Sequence, residues 1–170
     1  DATRCTGLDK VIEEADTFSY TVEAPVPNAT IGTYVARIYG ILSDCGTDSK
    51  ENLERAQEKF KEVLATETNN NGDAQIVKKI KAQAINGMIE MAMRSSDYAA
   101  ALEAIDRYTV SGRDAIMPTS NFSIDDFEIL LQGLIINDHA FMKGKDEKKK
   151  KKYTRNIEKL KILIENAISR

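Results

Sequence analysis

The chain has 170 residues, 42% hydrophobic and 30% charged, which suits one ordinary domain or at most two very small ones, and neither a disordered chain nor a membrane span of about 20 apolar residues. The formal net charge of −3 conceals an asymmetry: from Lys143 to Arg170 eleven Lys/Arg face four Asp/Glu, a balance of +7, and the remainder carries −10. One histidine, no tryptophan and two cysteines exclude a Cys/His zinc cluster and argue against a histidine-based triad or a multi-histidine metal site.

The chain begins at Asp1 without an initiating methionine, as expected of a processed or trimmed protein. Residues Cys5–Ser19 have helical period, with Leu8, Val11, Ile12, Ala15 and Phe18 on one stripe. Phe18–Val22 is the only strand-like stretch, and it is short. The run Glu23-Ala24-Pro25-Val26-Pro27-Asn28 reads as an extended breaker. A second helix is expected over Ala29–Asp44, with Ile31, Tyr34, Val35, Ile38 and Leu42 inward. Two helices of nearly equal length, folded back on each other, place Cys5 beside Cys45. A disulfide there removes loop entropy worth roughly 2–4 kcal/mol and implies an oxidising compartment. The expected location is therefore secreted, periplasmic or envelope-associated, with the cytoplasm left open. The triplets Asn28-Ala29-Thr30 and Asn121-Phe122-Ser123 match the N-glycosylation pattern, and both also read as helix N-caps.

The third helix is expected over Ser49–Thr66, capped by Asp48 or Ser49, with Leu53, Ala56, Phe60, Val63 and Leu64 inward. It stops at Asn69-Asn70-Asn71-Gly72-Asp73. Asp73 caps the fourth, Ala74–Arg94, whose apolar stripe from Ile76 to Ala92 is broad enough for neighbours on two sides. Ser95-Ser96-Asp97 turns into the fifth, Tyr98–Thr109. A linker follows over Ser111–Ser120. The sixth helix starts near Ser123, with Asp125 and Asp126 at its positive end and Phe127, Leu130, Leu131, Leu134, Ile135 and Phe141 inward. The seventh spans Glu147–Ser169, with Tyr153, Ile157, Leu160, Leu163, Ile164, Ala167 and Ile168 on its stripe.

The phrase Asp97-Tyr98-Ala99-Ala100-Ala101-Leu102-Glu103-Ala104-Ile105 resembles the second half of a tetratricopeptide repeat (TPR). In that pattern an aromatic residue is followed by a small one at the helix contact and then by a large apolar one, here Tyr98, Ala101 and Ile105. Leu53, Ala56 and Phe60 repeat the spacing, and helices six and seven form a third hairpin with Phe127, Leu131 and Gly133 facing Tyr153, Ile157 and Leu160. Ala56 and Ala101 are 45 residues apart, whereas the family period is about 34, and the tryptophan and leucine-glycine signature is absent. The resemblance covers Ala29–Arg170. It implies an all-α fold of antiparallel hairpins stacked as a TPR-like array; a closed helical bundle is the alternative. The organisation expected is a single all-helical domain, with an N-terminal hairpin over 1–46, central TPR-like helices over 47–122 and a C-terminal hairpin over 123–170.

No motif calls for catalysis, a metal or a cofactor. There is no glycine-rich phosphate loop, no paired-histidine metal helix and no nucleophile elbow. Glu13, Glu14 and Asp16 read as a solvated face, and His139 as a boundary residue. Tyrosine is favoured at interfaces, which makes Tyr34, Tyr39, Tyr98 and Tyr108 candidate partner-binding residues, with Tyr20 in the same set. Lys148, Lys149, Lys150, Lys151 and Lys152 repel one another and oppose the helix dipole. They read as a solvated turn or as a contact for an anionic surface or acidic partner. The low pI and the lack of interleaved aromatics argue against nucleic acid. The function expected is a non-enzymatic adaptor that binds protein or peptide in an envelope or secreted complex. The alternative is a carrier of a small hydrophobic ligand, using a cavity lined by Met88, Met91, Phe127 and Leu131.

Overall fold

The computed structural model describes residues 5–21, 24–46, 48–68, 71–109, 116–118 and 121–169. Among them the regular structure is wholly helical: α1 (Leu8–Thr21), α2 (Pro25–Ser43), α3 (Ser49–Leu64), α4 (Asn71–Arg94), α5 (Tyr98–Thr109), α6 (Ile124–Lys143) and α7 (Glu147–Ile168). The chain divides into two compact units, Asp1–Met91 and Ala92–Arg170, the division falling in the last turn of α4.

In the first unit α1 packs on α2 as the expected hairpin. Cys5 and Cys45 meet at a Cα–Cα distance of 6.4 Å and close the disulfide, which is compatible with an oxidising compartment. A small core of Ile12, Val35 and Leu42 lies beneath it, with Leu8, Ile38 and Tyr39 packed against it. Val11 and Phe18 on α1, and Tyr34 on α2, point to solvent instead of inward. The strand-like stretch is helical through Thr21; Val22 and Glu23 lie outside the described residues. The proline run does not break the helix but starts it. Pro25 stands in its first positions, where an N–H has no intrahelical acceptor and its loss costs nothing. Asn28 is therefore inside α2, not its cap.

α3 packs along α2 and also meets α4. Asp48 occupies the N-cap position of α3 in the left-handed region without a side-chain cap bond, and the Ser49 hydroxyl donates back to the Ser43 carbonyl at 2.6 Å. α4 begins at Asn71, so Gly72 and Asp73 belong to its first turn, while Asn69 and Asn70 lie outside the described residues. Phe60 is fully buried, and its ring fills the space that a Cβ on Gly87 would need. Gln57 Nε2 donates to the Met88 carbonyl at 3.0 Å beside that contact. From Val77 to Ala92 most of the apolar side chains of α4 are buried, but Ile76 is exposed.

In the second unit α5 packs on α6 and α6 on α7. Asp97 caps α5 by accepting the Ala100 N–H at 3.0 Å. Ala101, Ala104, Ile105 and Tyr108 are buried. Gly133 lies at the meeting of the three helices: a Cβ there would stand 3.1 Å from Leu160 Cδ1 and 3.2 Å from Ile105 Cγ2. Of the expected 111–120 linker, only residues 116–118 are described, with Ile116 buried and the Met117 N–H donating to the Tyr108 carbonyl.

Two outcomes follow from this packing. Gly87→Ala gains about 1 kcal/mol of helix propensity but drives a methyl group into the Phe60 ring, and overpacking of that kind costs about 1–3 kcal/mol. Urea unfolding should show a net loss of stability larger than for Gly133→Ala, where flexible side-chain ends can yield. Reduction should add two hydrogens to the intact mass and remove roughly 2–4 kcal/mol of stability; an unchanged mass would refute the bridge.

Candidate functional site

The start of α6 is unusually well determined. Ser123 is its N-cap, and a reciprocal capping box joins it to Asp126. The Ser123 N–H and hydroxyl donate to Asp126 Oδ2 at 2.7 and 2.8 Å, and the Asp126 N–H donates to Ser123 Oγ at 3.2 Å. Phe122, just before the cap, packs on Phe127 with ring centroids 5.9 Å apart, the geometry of a hydrophobic staple. The expected cap Asn121 instead lies before the helix at φ 55°. The other oxygen of Asp126 accepts from the Tyr108 hydroxyl at 2.9 Å, so one buried carboxylate ties the end of α5 to the start of α6. Burial of Tyr108, then the charge and hydrogen bond of Asp126, push the phenol well above its usual range.

A second polar link sets the α6–α7 pairing. Asn137 is buried; its Nδ2 donates to the Gly133 carbonyl at 2.8 Å, and its Oδ1 accepts from Asn156 Nδ2 at 3.0 Å. Asp126, Ile129, Leu130, Gly133, Ile136 and Asn137 form the inward face of α6. Leu131 and Ile135, expected inward, point out: they are 50% and 59% exposed, and Ile124 and Met142 are 86% and 73% exposed. At about 100° per residue these four side chains fall within an arc of roughly 40°, opposite the buried face. α6 thus carries two apolar stripes, one packed and one open, with Glu128 and Asp138 flanking the open one.

The lysine run lies close to the Met142 end of this stripe, at the start of α7. Asp146 caps that helix, its Oδ1 accepting from the Lys148 N–H at 2.9 Å. Lys148, Lys149, Lys151 and Lys152 are exposed. Lys150 folds back, with Nζ 3.6 Å from Glu147 and 5.6 Å from the centre of the Phe141 ring. Lys152 Nζ stands 3.6 Å from Asp106 on α5.

The tyrosines do not form one surface. Tyr34 is exposed on α2. Tyr39 is half-buried under the Arg55 guanidinium, 5.8 Å from the ring centre. Tyr98 stacks on His139 at 4.3 Å between centroids, and His139 Nε2 is buried without a hydrogen-bond partner. Tyr108 is wholly buried and its hydroxyl is committed to Asp126, so it offers a partner nothing. The side chain of Tyr20 lies outside the described residues.

Among the described residues, the first unit carries surface pockets of which two are well defined. One of about 430 Å³ lies beside the disulfide and is lined by charged groups, among them Asp9, Asp48, Glu51 and Arg55. The other, about 170 Å³, includes Asp16 and Lys59, which pair at 3.3 Å. Burial lowers the Lys59 pKa, but the Glu62 hydrogen bond and the Glu62 and Asp16 charges outweigh it and leave it raised. Neither pocket is lined by Met88, Met91, Phe127 or Leu131; Met88 and Met91 are buried and Leu131 is open to solvent. Among the described residues no group of three His, Cys, Asp or Glu side chains could hold a metal ion, and no helix is long and apolar enough to cross a membrane. No protein family, no curated protein and no solved structure matches the chain.

The Tyr108–Asp126 bond sets a pH dependence. The folded-state phenol pKa is raised, so its contribution to stability is complete below the unfolded value of about 10 and is lost as pH rises beyond it. Tyr108→Phe should cost about 1–2 kcal/mol at neutral pH. The gap between wild type and variant, measured by urea unfolding, should narrow above pH ~10.

Proposed function

We propose that the protein is a non-enzymatic binding module for a protein or peptide, in which a TPR-like arrangement of hairpins holds α6 and offers its second apolar face to the partner. The observation that carries this reading is the open stripe Ile124, Leu131, Ile135 and Met142. A helix spends little stability on a polar outer face, so a full second row of large apolar side chains has its use in docking. A helical segment with apolar residues at i, i+3/i+4 and i+7 is the occupant such a row fits. The TPR-like reading is supported by the burial of Ala101 and Ile105 in one hairpin and of Ala56 and Phe60 in another, at the positions where the resemblance needs them.

The exposed lysines give the stripe a basic end. An acidic segment on the partner would be steered to it, and the association would weaken with salt. The disulfide makes a secreted, periplasmic or envelope setting the consistent one. No comparable observation favours a hydrophobic-ligand carrier.

The test is affinity capture from the cells or fluid that produce the protein, with wild type and Leu131→Glu/Ile135→Glu side by side and helicity checked by circular dichroism. A partner retained by wild type and lost by the folded double variant is the expected outcome. Equal capture by both would remove the stripe from the site. Replacing Lys148–Lys152 by glutamine should slow association and flatten its salt dependence.

A further inference from the structure

The open stripe has an internal symmetry that a row evolved for an unrelated partner does not require. Its centre is Gly133. Leu131 and Ile135 stand two residues to either side, and Ile124 and Met142 stand nine to either side. The flanking carboxylates Glu128 and Asp138 stand five to either side. A two-fold contact between identical chains suits this arrangement, because an antiparallel pair centred on Gly133 sets each apolar residue of the row level with another.

We infer that the stripe is a self-association surface on which α6 of a second copy lies antiparallel, an inference that rests on the reading of this face as a docking site and names its occupant. In that register Ile124 faces Met142 of the second copy, and Leu131 faces Ile135 of the second copy, in two equivalent sets. The four apolar side chains of each copy meet apolar side chains of the other, as in the seam of an antiparallel helix pair.

Charge at the two ends of α6 agrees with the register, whereas Glu128 stands level with Asp138 of the second copy, like charges that solvent and salt at the rim of the contact screen. The start of α6 is acidic, with Asp125 and Glu128, and its end is basic, with Lys143 followed by Lys145 and the α7 lysines. An antiparallel pair lays each acidic start along a basic end. Asp125 and Lys143 also lie on the same flank, both roughly 100° round the helix from Ile124. A two-fold axis perpendicular to the helices keeps that flank in register and sets Asp125 of each copy beside Lys143 of the other. A parallel pair would instead stack acid on acid and base on base, which costs affinity and specificity. The start of α6 is held by the capping box, the staple and the Tyr108 bond, so the face is ordered before a partner arrives and little ordering entropy opposes pairing.

Sedimentation equilibrium of the full chain with its disulfide closed tests this. Wild type should have twice the chain mass of 18.9 kDa, and Leu131→Glu/Ile135→Glu should have the single-chain mass with unchanged helicity. Lys143→Glu should weaken the dimer, and adding Asp125→Lys should restore it. Mixed preparations of Ile124→Cys and Met142→Cys should cross-link to each other under mild oxidation, and neither should cross-link alone. A dimer that survives the double glutamate variant, or that cross-links Ile124→Cys to itself, overturns the proposal. A monomeric wild type also overturns it, and thiol labelling of Leu131→Cys then separates the two readings. A reactive thiol leaves the face open for a different protein and keeps the proposed function; an unreactive one shows the chain covering its own stripe and sinks both.

Discussion

Much of the second unit depends on one buried carboxylate. Asp126 is removed from water, and a charge in that position is tolerable only with its hydrogen bonds met. They are met by three donors from two places: the Ser123 N–H and hydroxyl at the helix start, and the Tyr108 hydroxyl at the end of α5. The constraint is rotational as well as positional. With Asp126 turned inward, the 3.6-residue period places Leu130, Gly133 and Asn137 inward too, and it leaves Ile124, Leu131, Ile135 and Met142 on the opposite side. The open face of α6 is thus the one opposite both the buried carboxylate and the packed row of Ile129, Leu130 and Ile136.

The rest of the unit reinforces that rotation. Gly133 lets α6 approach both Leu160 and Ile105, and a bulkier residue would hold the helices apart. Asn137 and Asn156 add a polar link with a defined partner, which a purely apolar seam lacks; slippage of α7 along α6 would leave buried amides unsatisfied. Lys159 Nζ reaches the Thr109 carbonyl at 3.4 Å, a cation at the negative end of α5. These contacts make the open stripe a feature of a determined helix face.

The first unit is held by different means. The α1–α2 hairpin has a small core, and its covalent clasp constrains the unfolded chain where burial alone is modest. The α3–α4 contact is tight and apolar, with Phe60 seated on Gly87, a fit that depends on the absence of a single methyl group. Its surface pockets mix charged groups with apolar ones, Asp16 and Lys59 beside Ile31, Val35 and Val63 in the smaller of the two.

Local chemistry made much of this legible in advance. Helical period located the helices; Asp97 marked the start of α5; Cys5 and Cys45 met across the α1–α2 hairpin, although α1 has 14 residues and α2 has 19; and of the residues expected to face α7, Gly133 stands against Leu160 while Leu131 points out. Those features rest on interactions close in sequence or on the pairing of helices adjacent in the chain. The proline run misled because a breaker within a helix is a good first turn, and only the path of the chain distinguishes the two. Tyr108 read as an interface residue because its type is common at surfaces; its burial depends on Asp126, eighteen residues away. Leu131 and Ile135 read as core because apolar residues surround α6 on nearly every side, so periodicity alone could not choose between its faces. A second row at spacings of seven, four and seven residues from Ile124 to Met142 was present to be found. Composition and period determined that this protein is helical and where its helices lie. The tertiary structure decided which face of α6 is buried, because that face is the one that packs on α5 and α7 and meets the Tyr108 hydroxyl eighteen residues away, and no local pattern encodes those partners.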